Sequence, residues 1–134
     1  VIINEDYTQQ SKITECFKNL ANNDVNIDLI SHAVDKEGNQ SSSFTTDLSS
    51  KESVKETLTD MGMDYEFVEN LSKISLIGSA MRNQVGVAAR AFDVLHKEGL
   101  NFYEVSTSEI SISYIIDGDK GNQLVNALAD EFNL

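Results

Sequence analysis

Proline is absent from this sequence, and cysteine occurs once. A lone Cys16 excludes an intrachain disulfide and any zinc site built on cysteines. It fits a reducing, cytoplasmic setting. Cys16 falls in the helical spacing Ile13, Cys16, Phe17, Leu20, so it reads as a small buried apolar residue rather than a nucleophile. No apolar run approaches the roughly 20 residues needed to cross a bilayer, and no signal peptide is apparent. Basic residues are scarce: 10 Lys and Arg stand against 22 Asp and Glu, for a net charge of −12. Nucleic-acid binders need a cationic surface to displace phosphate counterions. The balance therefore argues against nucleic acid and anionic membranes, and the acidity reads as a solubility feature.

Histidine is nearly as rare. His32 and His96 are the only two, and without a His–carboxylate cluster no metal site is expected. His96 is expected to be exposed, and His32 either to touch a ligand or to pack on a strand face. Asp117-Gly118-Asp119 lacks the remaining ligands of a calcium loop and reads as a turn into a helix capped by Asp119. Gly78 and Gly86 bracket a loop, but no Gly-Lys-Ser/Thr follows, which excludes a phosphate-binding loop. Nothing assembles a base beside a Ser or Cys nucleophile, so this stretch is not expected to be an enzyme. The chain opens on Val1-Ile2-Ile3 with no initiator Met and reads as a piece of a longer protein.

What is present is an ordinary globular composition, 40% hydrophobic and 24% charged over 134 residues. That length suits one domain or two very small ones. An internal repeat decides for two. At an offset of 75 residues, Phe17 falls on Phe92, Leu20 on Leu95, Asn26 on Asn101 and Ser31 on Ser106. Ile13 meets Ala88, Val25 meets Leu100 and Ile30 meets Val105 at the same offset. The expected halves are residues 1–71 and 72–134. With no Pro or linker-like run between them, they are expected to pack directly together.

Each half carries the same order of elements. The first reads as a strand at Val1–Ile3, a polar loop at Asn4–Gln10 and a helix over Ser11–Asn22. A half-buried strand follows at Val25–Val34, from its period-two alternation. A hairpin turn at Asp35–Gln40 leads to a strand at Ser42–Leu48. Ser50 then caps a helix running to Met61, and a last strand covers Asp64–Leu71. The second half reads as a strand at Lys73–Gly78, a loop at Ser79–Gln84 and a helix over Val85–Glu98 carrying Val87, Ala88, Ala91, Phe92 and Leu95. Gly99 stands at the helix C-cap. Strands at Leu100–Thr107 and Ile110–Asp117 follow, the latter alternating Ile110, Ile112, Tyr114, Ile116. A helix over Lys120–Phe132 comes last, with Leu124, Val125, Leu128 and Phe132 inward. The order β-α-β-β-α-β is ferredoxin-like, an α+β fold. The second half lacks the closing strand and so leaves an unpaired edge.

The loop Met81-Arg82-Asn83-Gln84-Val85-Gly86 and the helix start Val87-Ala88-Ala89 resemble an ACT domain. The run Ser106-Thr107-Ser108-Glu109-Ile110-Ser111-Ile112-Ser113 is more specific. It is similar to the closing ACT repeat of aspartate kinases, and Asn26-Ile27-Asp28-Leu29-Ile30 is similar to the matching strand of that family's first repeat. The resemblance implies two ACT repeats from the regulatory end of an aspartate kinase. The kinase domain, with its ATP and magnesium, lies outside this chain, so no cofactor is expected here. Family members phosphorylate the aspartate carboxylate. Their ACT repeats bind end-product amino acids, lysine and/or threonine, for feedback inhibition of lysine and related amino-acid biosynthesis. The repeats associate side by side, which implies a homodimer and contact with the kinase domain. The family also places one strand of the second repeat ahead of the first, which would fill the unpaired edge.

A free amino acid needs acceptors for its ammonium and donors for its carboxylate. N–H groups at a helix N-terminus supply donors and a favourable dipole, and Asn supplies both kinds of group. By match to the family, the effector-binding candidates of the first repeat are Asp6, Gln9, Gln10, Ser11, Asn26, Ile27 and Asp28. Those of the second are Met81, Asn83, Gln84, Val85, Gly86, Val87, Asn101, Phe102, Thr107, Ser108 and Glu109. Asn26 and Asn101 also fit as turn residues after a helix. The sequence departs from the family where the first loop, Glu5–Ser11, has neither Pro nor Gly. Val85 stands where Pro is usual, His32 where Gln is usual, and Tyr103 where an acidic residue is usual. Two functions follow: an allosteric sensor, or a purely architectural dimerisation module with degenerate sites.

Overall fold

The computed structural model describes residues 1–5, 10–78 and 86–134, the side chains of residues 4, 5, 10 and 11 excepted. Asp6, Gln9, Met81, Asn83, Gln84 and Val85 lie outside the described residues, as do the side chains of Gln10 and Ser11. The expected loop Ser79–Gln84 lies outside them too. The chain divides into two compact units, residues 1–69 and 70–134.

In the first unit the helical spacing of Cys16 and Leu20 puts both on one face of α1 (Gln10–Asn22), where they are fully buried. Ile13 and Phe17 pack beside them. The helix ends by chain reversal. Asp24 adopts φ 57°, its N–H donates to the Ala21 carbonyl at 3.1 Å, and Val25 N–H donates to the Leu20 carbonyl at 3.0 Å. This paired closure satisfies two orphan carbonyls and returns Val25 to the core. In the second unit α3 (Val87–Lys97) ends the same way. Gly99 sits at φ 67°, Gly99 N–H donates to the His96 carbonyl at 3.1 Å, and Leu100 N–H to the Leu95 carbonyl at 2.9 Å. Asp24 and Gly99 are 75 positions apart, so the offset read from the sequence marks a repeated helix ending.

The first unit's sheet contains β1 (Ile2–Glu5), β2 (Ile30–Val34), β3 (Gln40–Phe44) and β4 (Tyr65–Glu66), in the order β2-β3-β1-β4, all neighbours antiparallel. The second unit's sheet contains β5 (Leu71–Ile77), β6 (Glu104–Thr107) and β7 (Ser111–Asp117), in the order β5-β7-β6. With α2 (Lys51–Asp60) and α4 (Gly121–Phe132), these are two ferredoxin-like repeats. The second has three strands among the described residues, and β5 is an edge. Its core gathers Ala91, Leu95, Ile112, Tyr114, Ile116, Leu124 and Leu128.

Several elements differ from their sequence readings. β2 starts at Ile30 rather than Val25, and all five of its residues are exposed rather than half-buried. Ahead of it the chain meets Thr45 through two backbone bonds, Asp28 N–H to the Thr45 carbonyl and Thr45 N–H to the Leu29 carbonyl, both 3.0 Å, joined by threonine side chains. Leu29 N–H donates to Thr45 Oγ1 at 3.0 Å, and Thr46 Oγ1 donates to the Asn26 carbonyl at 2.8 Å. β3 ends at Phe44, short of Leu48. Ser50 makes no side-chain cap bond, because a 3-10 turn at Leu48–Ser50 already gives it helical φ and ψ. Asp119 is likewise inside a 3-10 turn, Gly118–Lys120, and Lys120 is the residue preceding α4. β4 is two residues long, and Leu71 belongs to β5. α3 begins at Val87, not Val85, and Val94 is one of its buried residues. Ala88 on that helix is exposed, as are Ile110 at 51% and Val125 at 46%. Ile115 is buried along with Ile112, Tyr114 and Ile116, as befits the central strand of its sheet.

Candidate effector site

In the first unit Asn26, Ile27 and Asp28 follow the reversal at Asp24. Asn26 and Asp28 are exposed, while Ile27 is half-buried against the core. Asp28 N–H donates to the Thr45 carbonyl at 3.0 Å, which fixes the backbone between the end of α1 and the edge strand β2.

In the second unit the described candidates fall at the two ends of β6. At one end stand Asn101 and Phe102. Asn101 is exposed, and Phe102 is 43% exposed, its ring 5.5 Å from Phe92 and 5.9 Å from Tyr114 in edge-on contacts. At the other end the hairpin tip carries Thr107, Ser108 and Glu109, all exposed. Ser108 shapes this tip. Its N–H donates to the Ser111 carbonyl at 2.8 Å, its Oγ lies 2.8 Å from Ser111 Oγ, and Ile110 N–H donates to Ser108 Oγ at 3.3 Å. The Ile110 carbonyl accepts from Gly78 N–H at 2.8 Å, so the tip sits where the chain leaves β5 on its way to α3.

Gly86 stands immediately before α3 at φ 89°. A Cβ placed there would meet nothing within 4 Å. Glycine serves the left-handed backbone at this position rather than a close approach. Its carbonyl accepts the first helical bond, from Arg90 N–H at 3.0 Å, and Val87 is buried. The opening N–H groups of α3 have no partner within the helix, the general condition under which a helix N-terminus receives an anion. The counterpart of Gly86 at offset 75 is Ser11, which lies inside α1. The first helix thus starts earlier in its repeat than the second does.

Asn101 and Ser108 are seven residues apart, which at extended rise is roughly 20 Å. A free amino acid does not span that distance. The fold therefore brings Gly86 and Val87 to the end of the sheet carrying Thr107–Glu109, and separates both from Asn101 and Phe102. Two groups near this edge were not singled out from the sequence as site residues. Tyr103 OH donates to Asp117 Oδ1 at 2.7 Å, and this hydrogen bond, with the Asp117 charge, holds the phenol above its ordinary pKa. Tyr114 is fully buried, its OH has no hydrogen-bond partner among the described residues, and burial raises its pKa. Alternation marks Tyr114 as inward, but nothing in a sequence shows whether a buried hydroxyl is satisfied. His32 lies on exposed β2, with Nδ1 2.6 Å from Ser42 Oγ. No group of three metal-ligating side chains occurs among the described residues, and no helix there is long and apolar enough to cross a membrane.

The family model for the ACT domain matches residues 74–132. The aspartokinase of Geobacillus stearothermophilus is 36% identical over 133 residues, covering 97% of this chain and 32% of its own length. Among solved structures, a chain from the crystal structure of aspartokinase alpha and beta subunits superposes with a TM-score of 0.86 at 28% identity. That match covers 99% of this chain and 92% of the other. E. coli aspartokinase III, crystallised with lysine and aspartate in a T-state, matches in fold with a TM-score of 0.69 at 22% identity, over 96% of this chain and 30% of that one. The chain spans about a quarter to a third of the length of the curated relatives it matches.

Fold and family model together define an ACT-domain protein. Within that class, the chain belongs to the regulatory ACT regions of the aspartokinases.

Proposed function

We propose that this region binds an end-product amino acid, lysine or threonine, and passes the binding event to an aspartate kinase domain as feedback inhibition. The observation that carries the reading is the second unit's hairpin tip, Thr107–Glu109, at the same end of the sheet as Gly86 and the opening N–H groups of α3. A carboxylate is served by those N–H groups, and an ammonium by Glu109 and the Ser108 hydroxyl. The complex of E. coli aspartokinase III with lysine supports lysine as the first effector to test. The catalytic step, phosphoryl transfer from ATP with magnesium to aspartate, resides in the kinase domain of a cytoplasmic parent enzyme, and this region contributes no catalytic residue.

The partner in this reading is a second copy of the chain. β2 is exposed along its whole length, with Ile30 57% and Val34 52% exposed. A long exposed edge with apolar side chains favours pairing with another strand. Calorimetric titration of the chain with lysine, and separately threonine, tests the sensor. Ser108→Ala and Glu109→Gln should each weaken binding severalfold, and unchanged binding in both would remove the site from this end. If a dimer forms but no amino acid binds, the exposed edges favour an architectural module instead.

A further inference from the structure

The two units carry the same helix pair, so each serves as a control for the other. α1 aligns with α3 at offset 75, with Cys16 on Ala91 and Leu20 on Leu95. α2 matches α4 at offset 70, with Val54 on Leu124 and Leu58 on Leu128. All of these are buried. The seam between the helices nevertheless differs. In the second unit it is apolar at Val94, which is buried, and at Ala127, which packs on the same core. It is fastened where Arg90 Nε donates to Glu131 Oε1 at 3.0 Å and Arg90 Nη2 donates to the Glu131 carbonyl at 2.9 Å.

In the first unit Asn19 and Thr57 replace Val94 and Ala127, and Glu15 and Met61 replace Arg90 and Glu131. The Arg–Glu fastening gives way to a contact of Asn19 Nδ2 with Met61 Sδ at 3.4 Å, and a cleft of about 500 Å³ lies along the seam. Asn22, Asn23, Ser53, Glu56 and Asp60 complete its lining. Asn23 Nδ2 donates to Thr57 Oγ1 at 3.1 Å, which orients its amide oxygen as an acceptor. Glu56 and Asp60 are one helical turn apart, repel each other, and enter no ion pair among the described residues. The last turns of α1 and α2 contain no basic residue, so both helix C-termini add negative potential. The second unit shows that the fold does not require a polar seam; of the polar lining only Thr57 is buried, and its hydroxyl is paired with Asn23 Nδ2 and the Ser53 carbonyl.

We propose that this cleft is a binding site for a small organic cation carrying primary ammonium groups. An ammonium presents three donors and no acceptor, matching a lining of carboxylates, amide oxygens and hydroxyls. Too few metal-ligating side chains converge for a metal. The site is separate from the effector residues, none of which lines it.

The test is calorimetry of the whole chain with 1,5-diaminopentane at low salt, with amide NMR shifts read at Asn22, Asn23 and Ser53. Saturable one-to-one binding is expected. Replacing both carboxylates, Glu56→Gln with Asp60→Asn, should weaken it about tenfold or more, as loss of charge-assisted hydrogen bonds does. The charge-matched pair Asp64→Asn with Glu66→Gln, exposed and outside the cleft, should leave it nearly unchanged. Asn19→Val with Thr57→Ala, the second unit's residues, should also weaken binding while raising the melting temperature. Absence of saturable binding overturns the proposal. So does equal loss in both charge pairs, which would mark attraction to the acidic surface alone.

Discussion

Asp24 offers a sharp test of how the two units are related. It closes α1 at φ 57°, in the position that Gly99 fills at φ 67° after α3. A left-handed residue with a Cβ costs roughly 1–2 kcal/mol, less for Asp than for most. An acid at the negative end of a helix adds ~0.3–1 kcal/mol of unfavourable interaction. Glycine removes both terms but adds unfolded-state entropy worth ~0.5–1 kcal/mol. Asp24→Gly should therefore stabilise the first unit by about 1 kcal/mol, or roughly 4–8 °C in a domain this small. The reverse change, Gly99→Asp, should destabilise the second unit by a similar amount. Amide exchange on the whole chain reads each unit separately, through Leu20 and Val25 or Leu95 and Leu100. If Asp24→Gly were neutral or destabilising while Gly99→Asp cost nothing, the helix endings would not be equivalent and the repeat would fail at this point.

Other consequences follow from named side chains. Tyr114→Phe should stabilise the second unit by roughly 1–2 kcal/mol in urea unfolding, because the buried hydroxyl is unsatisfied; a loss of stability would mean that the hydroxyl is bonded. Leu95→Ala, in the second core, should cost ~2–5 kcal/mol, read as loss of amide protection in that unit. Asp35 accepts from Asn39 Nδ2 and from the N–H groups of Glu37 and Asn39, which lowers its carboxyl below the ordinary value, the Asn39 side chain contributing most. Its contribution is complete above the ordinary carboxylate pKa near 3.8. It is lost as pH falls through the lower folded value. An NMR titration should show the β2–β3 hairpin loosening only in that acid range, and Asp35→Ala should loosen it at neutral pH.

Much of the architecture could be read from the residues because helices and the central strand announce their buried faces. Cys16 and Leu20, or Ile112, Tyr114 and Ile116, carry periodicities that burial then fulfils. The edges were harder. Val25–Leu29 alternates like a strand, yet it meets Thr45 and Thr46 through two backbone bonds and two side-chain hydroxyls, an arrangement no period reveals. Ser50 and Asp119 look like caps, but each sits inside a short 3-10 turn that local preference does not separate from the helix. The candidate site was legible as residue types and not as a place. Family likeness gathers Asn101, Phe102 and Thr107–Glu109 into one set, and only the length of β6 divides them. The polar seam of α1 and α2 was also visible in principle, as Asn19, Asn22 and Asn23 facing Ser53, Thr57 and Asp60 at spacings of three and four. It becomes informative only against the apolar seam of the second unit.

The most direct test of the central claim is calorimetric titration of the chain with lysine and with threonine, its mass followed in parallel. Saturable binding of one of them, weakened by Ser108→Ala and Glu109→Gln, is the predicted result. A stable dimer that binds neither would contradict the sensor and leave an architectural module.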